Sequence, residues 1–277
     1  MVMPTLSDIS TRLAGLVDTL GSDQFLNQLV DTLCWQTQAD DATIIIYEQG
    51  ELPGIAYAKP LEGAAETALN TYLTGPFLLD PFYRAAQHDN QFGVFRFVDL
   101  APSGFRASEY YKTWYKSCGY QDECGLLIDL GERSFINISM GLLAPQARFS
   151  RKQARDLQDL FPVIDAMCKK HWGGQLKSDD TISMRDRLHS SLGAFGSSVL
   201  TKRERQVIEL VLLGHNTRLI AEKLGISIET VKLHRKHAYA KLDINSQAEL
   251  FYLFMEALAH SSGDASVDPL IAYQGVG

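Results

Sequence analysis

The 277-residue chain has no stretch near the ~18 consecutive apolar residues that mark a membrane-spanning helix. Its opening residues, MVMPTLSDISTRL, have no basic region followed by an apolar run, so no secretory signal is read there. Four cysteines are too few for a disulfide framework. There is no G-x-x-x-x-G-K-S/T phosphate loop, no G-x-S-x-G nucleophile elbow and no Cys/His metal spacing; His88 and His171 stand alone. These absences remove the commonest ATPase, hydrolase and metalloenzyme readings. No catalytic residue, metal site or cofactor is expected, and the expected setting is cytoplasmic, with no membrane partner. The chain does have 45% hydrophobic and 21% charged residues, an ordinary composition able to bury a core, in a length that suggests about two domains.

The formal net charge of −7 is unevenly placed. Residues 1–172 carry 14 basic and 21 acidic side chains, and residues 173–197 carry three of each. Residues 198–250 carry nine basic and six acidic, and residues 251–277 three acidic and none basic. One short basic block therefore lies in an acidic chain. The stretch before it, GGQLKSDDTISMRDRLHSSLGAFGSS, reads as a linker over 173–197, with a helix possible over Ile182–Leu192. Residues 261–277 have no periodicity and read as a flexible tail.

Within 198–260 the pattern is helix, tight turn, basic helix. Thr201 and Glu204 have capping-box spacing, Val207, Leu210 and Val211 recur at helical intervals, and Gly214 sits where a C′ glycine ends a helix. A second helix runs from Thr217 through Ile220, Ala221 and Leu224 to Gly225. Ser227 caps a third, with Val231, Ala238 and Leu242 inward; a fourth follows from Ser246 to Leu258. A helical pair whose second member is basic suits the DNA major groove: its N-terminal half meets base edges while Lys and Arg neutralise phosphates. Leu200-Thr201, Arg203-Glu204, Val207, Gly214, Ile220-Ala221, Leu224, Ile226-Ser227, Thr230-Val231-Lys232, His234, Tyr239 and Lys241-Leu242 together resemble the LuxR/NarL-type helix-turn-helix. The resemblance implies a double-stranded DNA partner, base-edge roles for Lys232, Leu233 and Lys236, and phosphate roles for Thr230, His234, Arg235 and Lys241. Thr217-Arg218 occupies the place of a more usual polar pair and joins the DNA-binding set. The family also implies homodimers on inverted repeats, often through the fourth helix (here Leu250, Phe251, Phe254 and Leu258), and contact with RNA polymerase.

Residues 1–172 read as an α+β domain. Helical patterns cover 7–36, 64–73, 108–117 and 150–171; strands are read at 42–47, 55–58, 92–98, 125–130 and 134–143, with turns at Gln49-Gly50 and Gly131-Glu132. An antiparallel sheet with flanking helices, GAF- or PAS-like, is expected ahead of an all-α four-helix domain. Thirteen of the 27 aromatic residues fall between Tyr72 and Tyr120, a clustering that suits either an ordinary core or an apolar ligand cavity. Asp80-Pro81 resembles the Asp-Pro of acyl-homoserine-lactone sensor domains, with Tyr72 upstream and Phe95 downstream at the spacing of that family's pocket aromatics, although the family's upstream Trp has no counterpart. The ligand-binding candidates are Tyr72, Phe77, Asp80, Phe82, Tyr83, Phe95, Tyr111, Trp114 and Tyr115. A carboxylate among aromatics suits a cationic or amide-bearing effector. Asp122 and Glu123 read as surface charges, or as weaker second anchors. A phosphorylated receiver is disfavoured because Asp40-Asp41 precedes its strand. Control through redox (Cys118 and Cys124 are close), control through a protein partner, and an enzyme carrying a regulatory DNA-binding domain stand as alternatives.

Overall fold

A computed structural model describes residues 5–48, 51–58, 69, 71–73, 75–173, 191–260 and 267–274. The expected turn at Gln49-Gly50, most of the helix over 64–73 and the helix over Ile182–Leu192 lie outside or largely outside those residues.

Two helices open the chain, α1 (Leu6–Asp18) and α2 (Gln24–Thr37), and α1 begins at a Thr5–Asp8 capping box. Strands β1 (Asp41–Tyr47) and β2 (Gly54–Ala58) follow. A 3-10 turn at Pro76–Leu79 leads into α3 (Pro81–Gln87), and then come β3 (Gly93–Arg96) and the single-turn α4 (Phe97–Leu100). Residues 105–118 form only short 3-10 and π turns. The hairpin β4 (Asp122–Gly131) and β5 (Ser134–Leu142) and the long α5 (Arg151–Trp172) complete the first domain. All pairs are antiparallel, in the order β2-β1-β5-β4-β3.

Side chains alternate across the strands, so each has two faces. Ala42, Ile44, Cys124, Leu126, Ile128, Ile136, Ile138 and Met140 point to one side, where Phe25, Leu29 and Leu33 of α2 and Leu157, Ile164 and Cys168 of α5 cover them. The opposite face carries Ile45, Tyr47, Leu127 and Phe135 under the segment 72–118. Two glycines let rings lie flat on that face. A Cβ on Gly125 would meet Phe82 Cε1 at 2.6 Å, and one on Gly141 would overlap the Tyr120 ring.

The C-terminal domain comprises α6 (Lys202–Leu212), α7 (Thr217–Leu224), α8 (Ile228–Lys241) and α9 (Gln247–His260). The Thr201–Glu204 capping box is formed, and Gly214 and Gly225 take the left-handed conformations that stop α6 and α7 (φ 79° and 64°).

The structure corrects several sequence expectations. The 261–277 segment is not wholly a flexible tail: α10 (Pro269–Gln274) starts at Asp268, a buried carboxylate accepting from Gly196 N at 2.9 Å, Ser198 N at 2.7 Å and Ser198 Oγ at 2.6 Å. Those bonds pin the segment to the head of the C-terminal domain. The last residues assigned to the linker behave similarly: Leu192 and Phe195 are buried, and Phe195 meets Phe254 edge-on at 5.3 Å. The strand expected over 92–98 stops at Arg96, where Arg96 Nη2 pairs with Asp99 at 2.6 Å across α4. Residues 108–117 form no regular α-helix; instead Tyr110 and Tyr115 both turn inward and are buried. Leu250, Phe254 and Leu258 are buried within this chain, so the arrangement leaves none of the three on an open dimer face.

One aromatic and aliphatic core runs through both domains. Phe105 packs against the backbone of Gly214, Tyr110 meets Phe251 edge-on at 6.4 Å, and Asn216 Nδ2 donates to Ser103 O at 3.0 Å and Ser103 Oγ at 2.9 Å.

Candidate functional site

The face of the sheet opposite α2 and α5 carries polar side chains where a plain core would be apolar: Thr43 on β1, Glu123 on β4, Asn137 and Ser139 on β5. They bound a cavity of about 60 Å3 whose other walls are Ile45, Leu69, Tyr72, Asp80, Tyr115, Cys118 and Tyr120. Asp80 reaches it from the N-cap of α3. Its Oδ1 accepts from Phe82 N at 2.7 Å and its Oδ2 from the Tyr72 hydroxyl at 2.8 Å, and Tyr72 is hydrogen-bonded to Tyr47 at 2.7 Å. On the opposite wall Glu123 accepts from the Tyr115 hydroxyl and, at 2.8 Å, from Ser139 Oγ.

Burial dominates the electrostatics. It pushes the Asp80 carboxyl up to about 6 against the lowering effect of the Tyr72 and Phe82 bonds. It pushes Glu123 up to about 7 against the Tyr115 bond. The hydroxyls of Tyr72 and Tyr115 rise well above the usual phenol range, first through burial and then through the neighbouring carboxylate, so they remain neutral donors. Burial also lifts the Cys118 and Cys124 thiols to about 12, which opposes thiolate chemistry at neutral pH.

Of the ligand candidates, Tyr72, Asp80 and Tyr115 line the cavity. Phe77 and Tyr83 are buried and meet Tyr47 at tilted angles, at ring distances of 6.2 Å and 5.2 Å. Phe82 lies flat against Gly125; Phe95 is half-buried on β3 and is not among the described lining residues. Tyr111 supports the wall from behind, stacked on Tyr115 at 5.3 Å. The Trp114 side chain lies outside the described residues. The surface reading of Asp122 and Glu123 is corrected: they are 3% and 6% exposed. Asp122 Oδ2 accepts from Phe149 N at 2.9 Å, and Glu123 belongs to the cavity. Glu123 was read only as a surface charge or weaker second anchor, and Asn137 and Ser139 were missed, although their signal is present: polar residues at alternate positions of an otherwise apolar strand, as in Phe135-Ile136-Asn137-Ile138-Ser139-Met140.

The second candidate surface is α8. Ser227 caps it through Thr230 N at 3.0 Å. Lys232, Leu233 and Lys236 stand in solvent, Leu233 being 50% exposed, an apolar residue left outside the core. Lys232 meets Glu229 at 3.0 Å in an exposed pair, worth little against solvent. Thr230, His234 and Arg235 are half-buried along the same helix. Arg218 is exposed on α7 and Thr217 partly so. Lys241 is otherwise engaged, with Nζ on Glu204 Oε2 at 2.7 Å, closing α8 onto α6.

Comparison with known proteins bears on both surfaces. Residues 198–254 match the family described as bacterial regulatory proteins, luxR family. An HTH-type transcriptional regulator of the exeN 3' region in Aeromonas salmonicida is 33% identical over 186 residues, covering 65% of this chain and 94% of that protein. The oxygen regulatory protein NreC of Staphylococcus epidermidis is 38% identical over 68 residues, 24% of this chain and 30% of its own length. Among solved structures, the VqsR LBD domain from Pseudomonas aeruginosa superposes with a TM-score of 0.52 at 25% identity, covering 59% of this chain and 95% of that one.

Proposed function

From the premise that the chain belongs to the luxR family of bacterial regulatory proteins, we propose that it is a DNA-binding transcription regulator whose N-terminal domain senses a small molecule in the Asp80 cavity. The observation that carries the reading is the pairing of a buried polar cavity with an exposed basic helix in one folded unit. A plain core gains nothing from two carboxylates, which cost free energy to bury. A helix that leaves Leu233, Lys232 and Lys236 in solvent is built to meet something else, and the groove of double-stranded DNA fits its shape and charge.

The roles divide by position. Lys232, Leu233 and Lys236 face bases; Thr230, His234, Arg235, Thr217 and Arg218 face phosphates. Lys241 serves the fold first, through Glu204. Binding to inverted repeats as a homodimer supplies the affinity that a domain with nine basic against six acidic residues over 198–250 lacks alone. The dimer uses surfaces other than Leu250, Phe254 and Leu258 while this arrangement persists.

The test is a gel shift of Lys232→Ala and Lys236→Ala against a selected operator at fixed salt. Each is expected to weaken specific binding by ~1–3 kcal/mol and to relax base preference. Unchanged affinity in both variants refutes the assignment of α8.

A further inference from the structure

We propose that the cavity takes a compact organic cation with at least two N–H donors, gripped between Asp80 and Glu123 with Asn137 as a third acceptor. The inference rests on the reading of this cavity as the effector site and names the chemical class of the effector.

The polar equipment of the walls is one-sided. The hydroxyls of Tyr72, Tyr115 and Ser139 all donate inward to a carboxylate, so these donors are already committed. Each Glu123 oxygen accepts one such bond and keeps a second lone pair; Asp80 accepts from the Tyr72 hydroxyl and from the Phe82 and Tyr83 amides, which leaves it fewer free positions. Asn137 is 2% exposed and its Oδ1 has no hydrogen-bond partner. A buried acceptor left unsatisfied is costly and in a native structure calls for an explanation. Apart from the Asn137 amide nitrogen and the Thr43 hydroxyl, the donors of the walls are committed, so the open acceptors call for donors that a ligand brings.

Nor do the described residues of the lining bring positive charge. Among the described lining residues there is no Lys, Arg or His. The charged neighbours are acidic too: Asp41, which accepts from the Tyr120 hydroxyl at 3.3 Å, and Asp122, next to Glu123 on β4. Two carboxylates buried without a counter-ion hold protons instead, which is why Asp80 and Glu123 lie at about 6 and about 7. A dication balances both, and a monocation one with the other left protonated; the aromatic lining of Tyr72, Tyr115 and Tyr120 favours either further. A neutral ligand with a single amide N–H would serve Asp80 and leave Glu123 and Asn137 as they are. Size points the same way: about 60 Å3 is far below the several hundred of a drug-sized site.

The proton linkage has a definite sign. A cation favours the ionised carboxylates, so its binding expels protons and strengthens as pH rises through about 6 and about 7. The other titratable groups facing the pair are Tyr47, Tyr72, Tyr110, Tyr115, Tyr120, Cys118 and Asp41, with Asp122 beside Glu123 on the opposite face of β4. Of these, Tyr72, Tyr115, Tyr120 and Cys118 are all shifted upward by burial and stay neutral across that range.

The experiment is calorimetric titration of the full-length protein with trimethylenediamine and acetamidinium, against the neutral probes trimethylene glycol and N-methylacetamide. Runs at pH ~8 and ~5 in buffers of different ionisation heat read proton release. The expected result is binding of the cations only, with protons released: at the lower pH the diamine, which needs both carboxylates ionised, binds about a thousandfold more weakly, and acetamidinium, which needs one, about tenfold. Glu123→Gln is expected to weaken it about tenfold, the loss of one charge-assisted bond. That variant should melt no lower than the parent at the higher pH, since it removes a buried charge. No binding by either cation, or binding that Glu123→Gln leaves unchanged, overturns the inference. Neutral amide binding that depends on Asp80 but not Glu123 overturns it while upholding the effector site. Operator affinity that ignores every bound probe counts against the sensor reading alone.

Discussion

Asn216 does two jobs that one substitution separates. Its Oδ1 caps α7 by accepting from Leu219 N at 2.9 Å, while its Nδ2 holds the 103–105 loop of the first domain through Ser103 O and Oγ. Gly104 lies so close, with φ 104°, that a Cβ there would come within 3.2 Å of Asn216 Cβ. Asn216→Asp keeps the cap, because Asp and Asn are equivalent at an N-cap and the carboxylate also favours the helix dipole. It deletes both donors and turns an anionic oxygen toward the Ser103 carbonyl. A net hydrogen bond contributes ~0.5–1.5 kcal/mol, and these two are exposed, so their joint loss is about 1–2. Repulsion brings the total to ~1–3 kcal/mol, or ~5- to 150-fold in the docked-to-undocked ratio.

Amide hydrogen exchange reads this directly, since protection reports local opening free energy. In the wild type the Phe105 and Ala107 amides are bonded to Pro102 O at 2.9 Å and Gly104 O at 2.8 Å. Asn216→Asp is expected to speed exchange in this loop by the factor above and to leave the α7 amides unchanged. Asn216→Ala, which also costs the cap ~1 kcal/mol, is expected to speed both. Loop protection that survives Asn216→Asp refutes the claim that this side chain ties the domains together. Faster exchange in α7 alone refutes the separation of roles.

Two further expectations test the packing and the charge. Gly141→Ala drives a methyl into the Tyr120 ring and is expected to cost ~1–3 kcal/mol by overpacking, seen in urea as a lower midpoint with the slope unchanged; an unchanged midpoint means that the ring does not rest there. Burial alone would raise the Glu204 carboxyl, but the bonds from Lys241 and Thr201 outweigh it and hold the group at about 2. A depressed folded value gives stability that is present above the ordinary carboxylate value of 4.5 and lost as pH falls toward 2. Glu204→Gln is expected to flatten that acid limb in a thermal melt, and an unaltered limb rules out the pairing.

What could be read from the sequence was local chemistry. Thr201 with Glu204, Gly214, Gly225 and Ser227 each determine a helix end through their own side chain or φ, and each sits where its pattern places it. Asp80-Pro81 carries a signal of the same local kind, an N-cap ahead of a helix-starting proline, although it was read for its resemblance to sensor domains. The identical signal at Asp268-Pro269, where Asp268 Oδ1 accepts from Leu270 N at 3.1 Å, was hidden by the low complexity around it. For Glu123 and Asn137 the local pattern marks polar residues on an apolar strand face but does not bring them together as a site. They meet only after β4 and β5 pair, with Leu127 opposite Asn137 and Gly125 opposite Ser139, and after α3 delivers Asp80 to the same face. The irregular 105–118 segment was lost because burying both Tyr110 and Tyr115 outweighs its helical periodicity.

The division of charge between an acidic first domain and a basic second one suggested two independent units, yet the packing joins them. Tyr115 lines the cavity and hydrogen-bonds Glu123; its ring lies 6.2 Å edge-on from Phe105, and Phe105 rests on the backbone of Gly214 at the end of α6. Among the described residues, one path from the cavity wall to the DNA-binding domain thus runs through a single side chain, Phe105. Close packing transmits small displacements because a dense interior has few voids to absorb them. Contact alone does not make a switch, however. A ligand that binds the docked and undocked arrangements equally well shifts nothing, however tightly it binds. Control of DNA binding from this cavity requires that Tyr115 and Glu123 hold the ligand differently in the two arrangements. The contacts of Phe105 with Gly214, Tyr110 with Phe251 and Asn216 with Ser103 are where that difference is open to expression.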